Sequence, residues 1–239
     1  MRFVFLVIVA VIGHASARGD SEATRVLFVG NSYTYHRDVP ALVQAMAASL
    51  GRALECAHET APDYSLEDHW ASRSQRRLER GGKWDWLIVQ QGPSTAPENR
   101  AHLRDWVKRW AEVARQHGAQ TAVFTVWPFV SQIRGGGFVH VSESHRAAAA
   151  HAGVPAFPVA EAWAFALIDD PKLRLYERDG LHSTASGAYL AALVITRGLT
   201  GLEVDAVPST LMLPGGGRFT LEEERAAFLR RVVARVPRS

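Results

Sequence analysis

Short runs of apolar residues alternate along the chain with longer segments of helical periodicity. The runs are rich in β-branched and aromatic residues, which is typical of strands bounded by turn residues. The first run ends at Gly30 and is apolar without interruption, as expected of a strand that is covered on both faces. By this criterion, strands are predicted at residues 25–29, 86–89, 121–126 and 154–159.

Helices are predicted between these strands, where apolar residues recur every three or four positions. Asp38 and Pro40 indicate the start of the first helix. Further helices are predicted at residues 99–117, 143–152, 186–196 and 221–236. Gly198 is the expected stop signal of the helix at 186–196. Strands that alternate with helices favour the α/β class, here a three-layer α/β/α sandwich with a mainly parallel central sheet.

The amino-terminal segment has the pattern of a secretory signal. A basic start precedes ten apolar residues, which are too few to span a bilayer. Ala15 and Ala17 then fit cleavage before Arg18, although an uncleaved anchor is the alternative. We therefore expect a secreted or periplasmic protein that keeps no stable membrane anchor. The predicted organisation is a signal peptide at 1–17, a linker at 18–24 and one folded domain at 25–239.

Composition excludes several function classes without identifying one. A chain of 239 residues can bury enough surface to be stable without disulfides or a structural metal. Its single cysteine, Cys56, cannot form a disulfide within the monomer, and we expect it to be an apolar filler in the interior. A formal net charge of +3 is too small to predict a nucleic-acid partner.

Two short motifs near opposite ends of the predicted domain carry candidate chemistry. The first strand runs into Gly30-Asn31-Ser32, so that a serine lies at the carboxyl end of a strand, where ligands of parallel sheets bind. Much later, Asp179-Gly180-Leu181-His182 places a carboxylate and an imidazole on one turn. A histidine activates a serine when a carboxylate holds its other ring nitrogen. Taken singly, Ser32 also fits a helix cap, and the second motif fits a turn with a surface histidine.

Together, these motifs resemble those of the SGNH, or GDSL-like, hydrolases. In that family a Gly-Asp/Asn-Ser block after the first strand carries the nucleophile, and a late Asp-x-x-His block supplies the other two members of a triad. The matching catalytic residues here are Ser32, Asp179 and His182. The resemblance spans roughly residues 24–200. It implies the flavodoxin-like SGNH hydrolase fold and ester hydrolysis without a cofactor.

The two middle blocks depart from the family pattern. The family has a glycine after the second strand, whose N–H joins the oxyanion hole, whereas the equivalent segment 61–70 contains no glycine. Asp63 is the residue there that best tolerates a positive φ. The family then offers an asparagine side chain, which Gln90 replaces here. The resemblance therefore implies an oxyanion hole formed by the N–H of Ser32, the backbone near Asp63 and the amide of Gln90.

Other residues carry less specific predictions. Asn31 and Trp127 are candidate substrate contacts, with core packing as the alternative for Trp127. His36 is a candidate for lining the same pocket or a surface loop, and His69 is expected to lie in a helix and make polar packing contacts near the cleft. We predict no metal site, because no histidine lies in a His-Glu-x-x-His motif or near a cysteine cluster.

These observations predict a secreted serine esterase that acts through an acyl-enzyme intermediate. A small-molecule or carbohydrate ester, such as an acetylated sugar, is the expected substrate, followed by simple lipids and thioesters. The alternative is a non-catalytic protein that binds a glycan or an acyl group in a degenerate cleft. The missing glycine near Asp63 motivates this alternative.

Overall fold

The computed structural model describes residues 22–238, and a parallel sheet forms its centre. The strands of this sheet are β1 (Thr24–Gly30), β2 (Leu54–Thr60), β3 (Trp86–Val89), β4 (Gln120–Phe124) and β5 (Ala156–Phe157). Their order is β2-β1-β3-β4-β5, and all neighbouring pairs are parallel. This is the order of flavodoxin-like sheets, in which ligands bind beside the first strand at its carboxyl end.

Helices cover both faces of the sheet. In the described part of the chain they are α1 (Ser32–Tyr35), α2 (Val39–Ser49), α3 (Leu66–Ala71), α4 (Arg76–Arg80), α5 (Pro97–Gln116), α6 (Gly137–Ala152), α7 (Val159–Asp169), α8 (Ala185–Thr200) and α9 (Glu223–Arg235). A 3-10 turn spans Val130–Gly135, and an antiparallel hairpin joins β6 (Thr210–Met212) to β7 (Arg218–Thr220).

Alternate residues of β1 enter two separate hydrophobic cores. Val26 and Phe28 belong to the core that contains residues of α2, α7, α8 and α9, whereas Leu27 and Val29 belong to the core that contains residues of α3 to α6. Side chains of a strand alternate between its faces, so both faces of this strand must be apolar. The predicted α/β class and its three-layer architecture are confirmed.

Two predictions of local structure are wrong. Gly198 does not stop a helix, because α8 continues to Thr200 and ends at Gly201, which has φ +69°. A Cβ on Gly198 would lie 2.4 Å from Cε1 of Phe157, so glycine at 198 permits close packing of α8 on β5. The strand predicted at 154–159 is reduced to Ala156–Phe157, after which the chain enters α7.

The structure locates the single cysteine but does not include the predicted signal peptide. Cys56 lies in β2, packs partly buried against the core, and burial raises its pKa to about 12. The predicted signal peptide at 1–17 lies outside the described residues, as does most of the predicted linker. Between residues 22 and 238, no helix combines the length and the apolar character needed to cross a membrane.

Candidate active site

Ser32 lies where β1 turns into α1, and its position depends on the two residues before it. Asn31 caps α1, because its Oδ1 accepts a hydrogen bond from the N–H of Tyr33 at 3.3 Å. Gly30 is required, since a Cβ there would lie 2.3 Å from Oε1 of Gln90. Ser32 lines a cavity of about 360 Å³. Its hydroxyl makes no hydrogen bond to another described residue.

A single turn holds Asp179 and His182 together. Oδ2 of Asp179 accepts a hydrogen bond from Nδ1 of His182 at 2.6 Å, and Oδ1 accepts from the N–H groups of Leu181 and His182 at 2.9 and 3.0 Å. Gly180, with φ +70°, allows the chain to turn back between them. These hydrogen bonds, chiefly the one from His182, lower the pKa of Asp179 to about 2. The ionised carboxylate fixes the imidazole with Nδ1 protonated, which leaves Nε2 able to accept a proton.

The turn at 179–182 lies beside the start of α1. The N–H of His36 donates to the carbonyl of Ser32 at 2.9 Å, and the ring of His36 contacts that of His182 with centroids 4.7 Å apart. Leu181 and Ser32 also line the same cavity. No hydrogen bond joins Ser32 to His182 in residues 22–238. The structure thus brings the two motifs close together.

Trp127 lies in the core and not in the cavity wall, so the structure shows the alternative given for this residue, core packing, rather than a candidate substrate contact. Trp127 is fully buried and stacks on Trp163, with ring centroids 4.0 Å apart and planes within 5°. Its Nε1 donates to the carbonyl of Leu181 at 2.8 Å. Trp127 therefore supports the turn that carries His182, and the cavity is lined instead by Phe129, two residues later.

Gln90 lies beneath the cavity rather than in its wall, so the structure does not place its amide where the prediction of an oxyanion donor needs it. Its Oε1 accepts hydrogen bonds from the N–H of Asn31 and the hydroxyl of Thr34, both at 2.9 Å. Its Nε2 donates to Oδ1 of Asn31, also at 2.9 Å. Gln90 is only 1% exposed, and these bonds hold the turn that carries Ser32. Asn31 does line the cavity, and its contact with substrate stays a prediction.

His69 supports the same turn from the other side. It lies in α3, as predicted, and is buried. Its Nε2 donates to the carbonyl of Gly30 at 2.7 Å, while Nδ1 accepts from the hydroxyl of Ser74 at 3.1 Å. Burial lowers the pKa of His69, against a smaller opposing effect of the Gly30 carbonyl, so the ring is neutral at neutral pH. The sequence signal for this role is weak, since His69 lies 39 residues from its partner.

Asp63 lines the cavity in the left-handed backbone conformation, with φ +58°. This is the conformation that favours glycine, the residue usual in the family at the matching position. The N–H of Asp63 makes no hydrogen bond to another described residue. It is therefore available for a ligand, and its role as an oxyanion donor stays a prediction, as does that of the N–H of Ser32.

The backbone at Asp63 predicts an unusual order of stability among its variants. Asp63→Val should unfold more easily than Asp63→Gly by about 1–2 kcal/mol, because a β-branched side chain is strained at positive φ. Urea denaturation would measure the difference. The same replacements at Asp105, on the exposed face of α5, should not favour glycine, because glycine destabilises a helix. Equal stabilities of the two Asp63 variants would contradict the strain.

Comparisons with known proteins agree with this architecture. Neither a protein-family model nor a curated protein matches the sequence. A candidate SGNH hydrolase from Slackia heliotrinireducens is 25% identical with a TM-score of 0.62, over 74% of this chain and 100% of that one. A DUF4886 family protein from Bacteroides uniformis is 17% identical with a TM-score of 0.67, over 89% and 93% of the two chains. A lipase/acylhydrolase from Enterococcus faecalis is 16% identical with a TM-score of 0.59, over 74% and 95%. The chain therefore has the SGNH/GDSL-like hydrolase fold.

Proposed function

We propose that the protein hydrolyses carboxylic esters through an acyl-enzyme intermediate on Ser32. The observation that carries this proposal is the Asp179–His182 pair, joined at 2.6 Å and held beside a serine that opens on a cavity. A serine, a histidine and a carboxylate in this relation form the recurring apparatus of acyl transfer. The solved structures of similar fold include a candidate SGNH hydrolase and a lipase/acylhydrolase, which supports a hydrolase.

In the proposed acylation step, Nε2 of His182 takes the hydroxyl proton of Ser32 while Oγ attacks the ester carbonyl. The tetrahedral intermediate then collapses, and His182 delivers the same proton to the departing alcohol. Asp179 holds the ring and stabilises the imidazolium that forms between these events. Water, activated by His182 in the same way, then attacks the acyl group and releases a carboxylic acid and free Ser32.

The oxyanion of each tetrahedral intermediate needs hydrogen-bond donors near Ser32. We propose the N–H groups of Ser32 and Asp63, because both residues line the cavity and neither N–H is used by another described residue. Losing one oxyanion donor costs about 10²–10³ in rate in other serine hydrolases. The loss of Gln90 from this set therefore predicts a slower enzyme than one with three donors.

The cavity supports a small, hydroxyl-rich ester. Its volume of about 360 Å³ suits a short acyl group better than a long alkyl chain. Besides Ser32 and two tyrosines, its polar lining residues are Asn31, Asp63, Ser65, Gln91, Ser94, Asn99 and His102. Polar groups of this kind bind sugar hydroxyls, so we propose an acylated carbohydrate as substrate.

The amino-terminal sequence supports the further proposal that the protein meets this substrate in the periplasm or outside the cell.

A non-catalytic binding protein is the second candidate function. Two observations favour it: glycine is absent at residue 63, and no described hydrogen bond joins Ser32 to His182. Such a protein would hold a glycan or an acyl group in the same cavity without turnover. The two functions differ in whether the hydroxyl of Ser32 is activated, which a covalent probe can measure.

A fluorophosphonate probe should label the wild-type protein and fail to label Ser32→Ala, because only an activated serine displaces the fluoride. Ser183→Ala is a matched control. Ser183 is buried next to His182, and its hydroxyl has no partner within the described residues, so labelling should remain at the wild-type level. Mass spectrometry of the labelled peptide would identify the site. A folded wild-type protein that takes up no label would favour the binding protein.

A further inference from the structure

A second histidine, His36, lies against the imidazole that the proposed mechanism uses. The centroids of the His36 and His182 rings are 4.7 Å apart, and their planes are inclined by 36°. Nε2 of His36 is buried and has no hydrogen-bond partner within the described residues. Its contact with His182 is therefore a ring-to-ring contact, and the acyl-transfer steps assign His36 no proton to move.

The turn that follows His36 is tied to the turn that carries His182. Arg37 and Asp38 are consecutive non-glycine residues in the left-handed region, with φ +62° and +49°. Arg37 pairs with Glu177 at 2.5 Å, and the N–H of Glu177 donates to the carbonyl of His182 at 2.8 Å. Strained conformations persist only where the surrounding structure imposes them. These contacts thus keep the face of His36 on His182.

The charges around His36 favour a neutral ring at neutral pH. Burial lowers the pKa of His36 most, and the neighbouring His182 and Arg37 lower it further, while Glu177 and Asp179 raise it. A neutral aromatic ring attracts a cation over its face, whereas a second positive charge at this distance repels it. The protonation state of His36 therefore affects how easily His182 carries a charge.

We propose that His36 is a positioning residue whose neutral ring holds the His182 imidazole towards Ser32 and lies against the imidazolium formed during acylation. The catalytic part of this inference rests on the proposed function of Ser32 and His182. The coupling between the two rings does not rest on it, and can be measured without a substrate. Protonation of His36 would place a positive charge against the His182 ring and disfavour the imidazolium that the proposed acylation forms.

Three variants of His36 separate the ring from its charge. His36→Phe keeps an uncharged ring, and its kcat for p-nitrophenyl acetate should stay within about threefold of wild type. His36→Ala removes the ring and should lower kcat about tenfold with little change in KM, because misplacing a catalytic group slows the chemical step. His36→Lys introduces a cation and should lower the NMR titration midpoint of the His182 ring by about one pH unit. His151→Ala, at an exposed histidine of α6, is the matched control.

Each outcome supports or overturns the proposal. A His182 titration midpoint that is the same in wild type and His36→Lys would overturn the coupling, and wild-type kcat in His36→Ala would overturn the positioning role. If His36→Lys fails to fold, the comparison of the phenylalanine and alanine variants decides, since equal kcat values would exclude a role for the ring. Another outcome is that the wild-type protein hydrolyses no ester while the His182 midpoint still differs between wild type and His36→Lys. That result would contradict the proposed function and support the coupling.

Discussion

Replacing Ser32 or His182 by alanine should each lower kcat/KM for p-nitrophenyl acetate by about 10⁴ or more, and the double variant should be no slower than either single one. The two side chains act in one proton transfer, so removing either removes the whole step. The four proteins of this cycle can be compared by steady-state kinetics under one set of conditions.

Circular dichroism and thermal unfolding should show the wild-type fold in each member of this cycle. Ser32 makes no side-chain hydrogen bond in the described part of the chain that its loss would break. Multiplicative losses in the double variant would show that Ser32 and His182 act in separate steps. Such a result would contradict the proposed mechanism even if both single variants were slow.

The second large effect is expected for Asp179→Asn, which should lower kcat about 10²–10⁴-fold at pH 7. An amide carries no charge to stabilise the imidazolium, and its NH₂ group can turn towards Nδ1 and select the wrong tautomer. We expect the decrease in kcat to lie nearer 10²-fold than 10⁴-fold, because the Asp179 side chain is 48% exposed and water replaces part of its electrostatic effect. Steady-state kinetics with Asp205→Asn, at an exposed turn, as the control would test this expectation.

The same carboxyl group predicts a pH dependence. The pKa of Asp179 is about 2 in the folded protein, below its usual value of 3.8. Its stabilising contribution is therefore complete above pH 4 and is lost as the pH falls towards 2. Any loss of activity between pH 5 and 7 must accordingly come from another group. In Asp179→Asn, the contribution of this group to acid destabilisation should be absent, and urea denaturation at several pH values would detect the change.

The central strands could be predicted from the sequence, but β2 could not. Strands such as β3 are buried on both faces and read as uninterrupted apolar runs. β2 pairs only with β1 and lies at the edge of the sheet, where Glu55 and His58 are exposed. An edge strand of this kind lacks the apolar run on which the prediction depends. Its existence follows from pairing with β1, which is a property of the folded chain.

The sequence does not predict helix α7 either, because this segment is too uniformly apolar rather than too polar. Trp163 is completely buried, and Glu161 and Asp169 are the only charged residues of the helix, so this segment has no clear polar face. A short segment that is apolar on all sides does not distinguish helix from strand by its period. Pro155 and Pro158 interrupt the preceding run, and only two of its six residues pair with β4.

The site itself was predictable where its residues are neighbours in sequence. Asp179 and His182 lie three residues apart, and the turn geometry follows from their spacing and Gly180. Gln90 and Trp127 were misplaced because the sequence does not show which side of a loop faces the cavity. At the end of β3 the difference is one residue, since Gln91 lines the cavity and Gln90 lies beneath it.

The supports of the two motifs lie in different layers of the sandwich. The turn of Ser32 is held by Gln90 and by His69, which belongs to α3, whereas the turn of His182 rests on Trp127 in the core that includes α7 and α8. The two sets of supports meet where the ring of Tyr33, the residue after Ser32, contacts that of Trp127 with centroids 4.8 Å apart. In evolutionary terms, we expect a descendant that changes only Asp179 and His182, whose side chains do not line the cavity, to lose the proposed hydrolysis and to keep the cavity. On this expectation, few substitutions separate the two candidate functions.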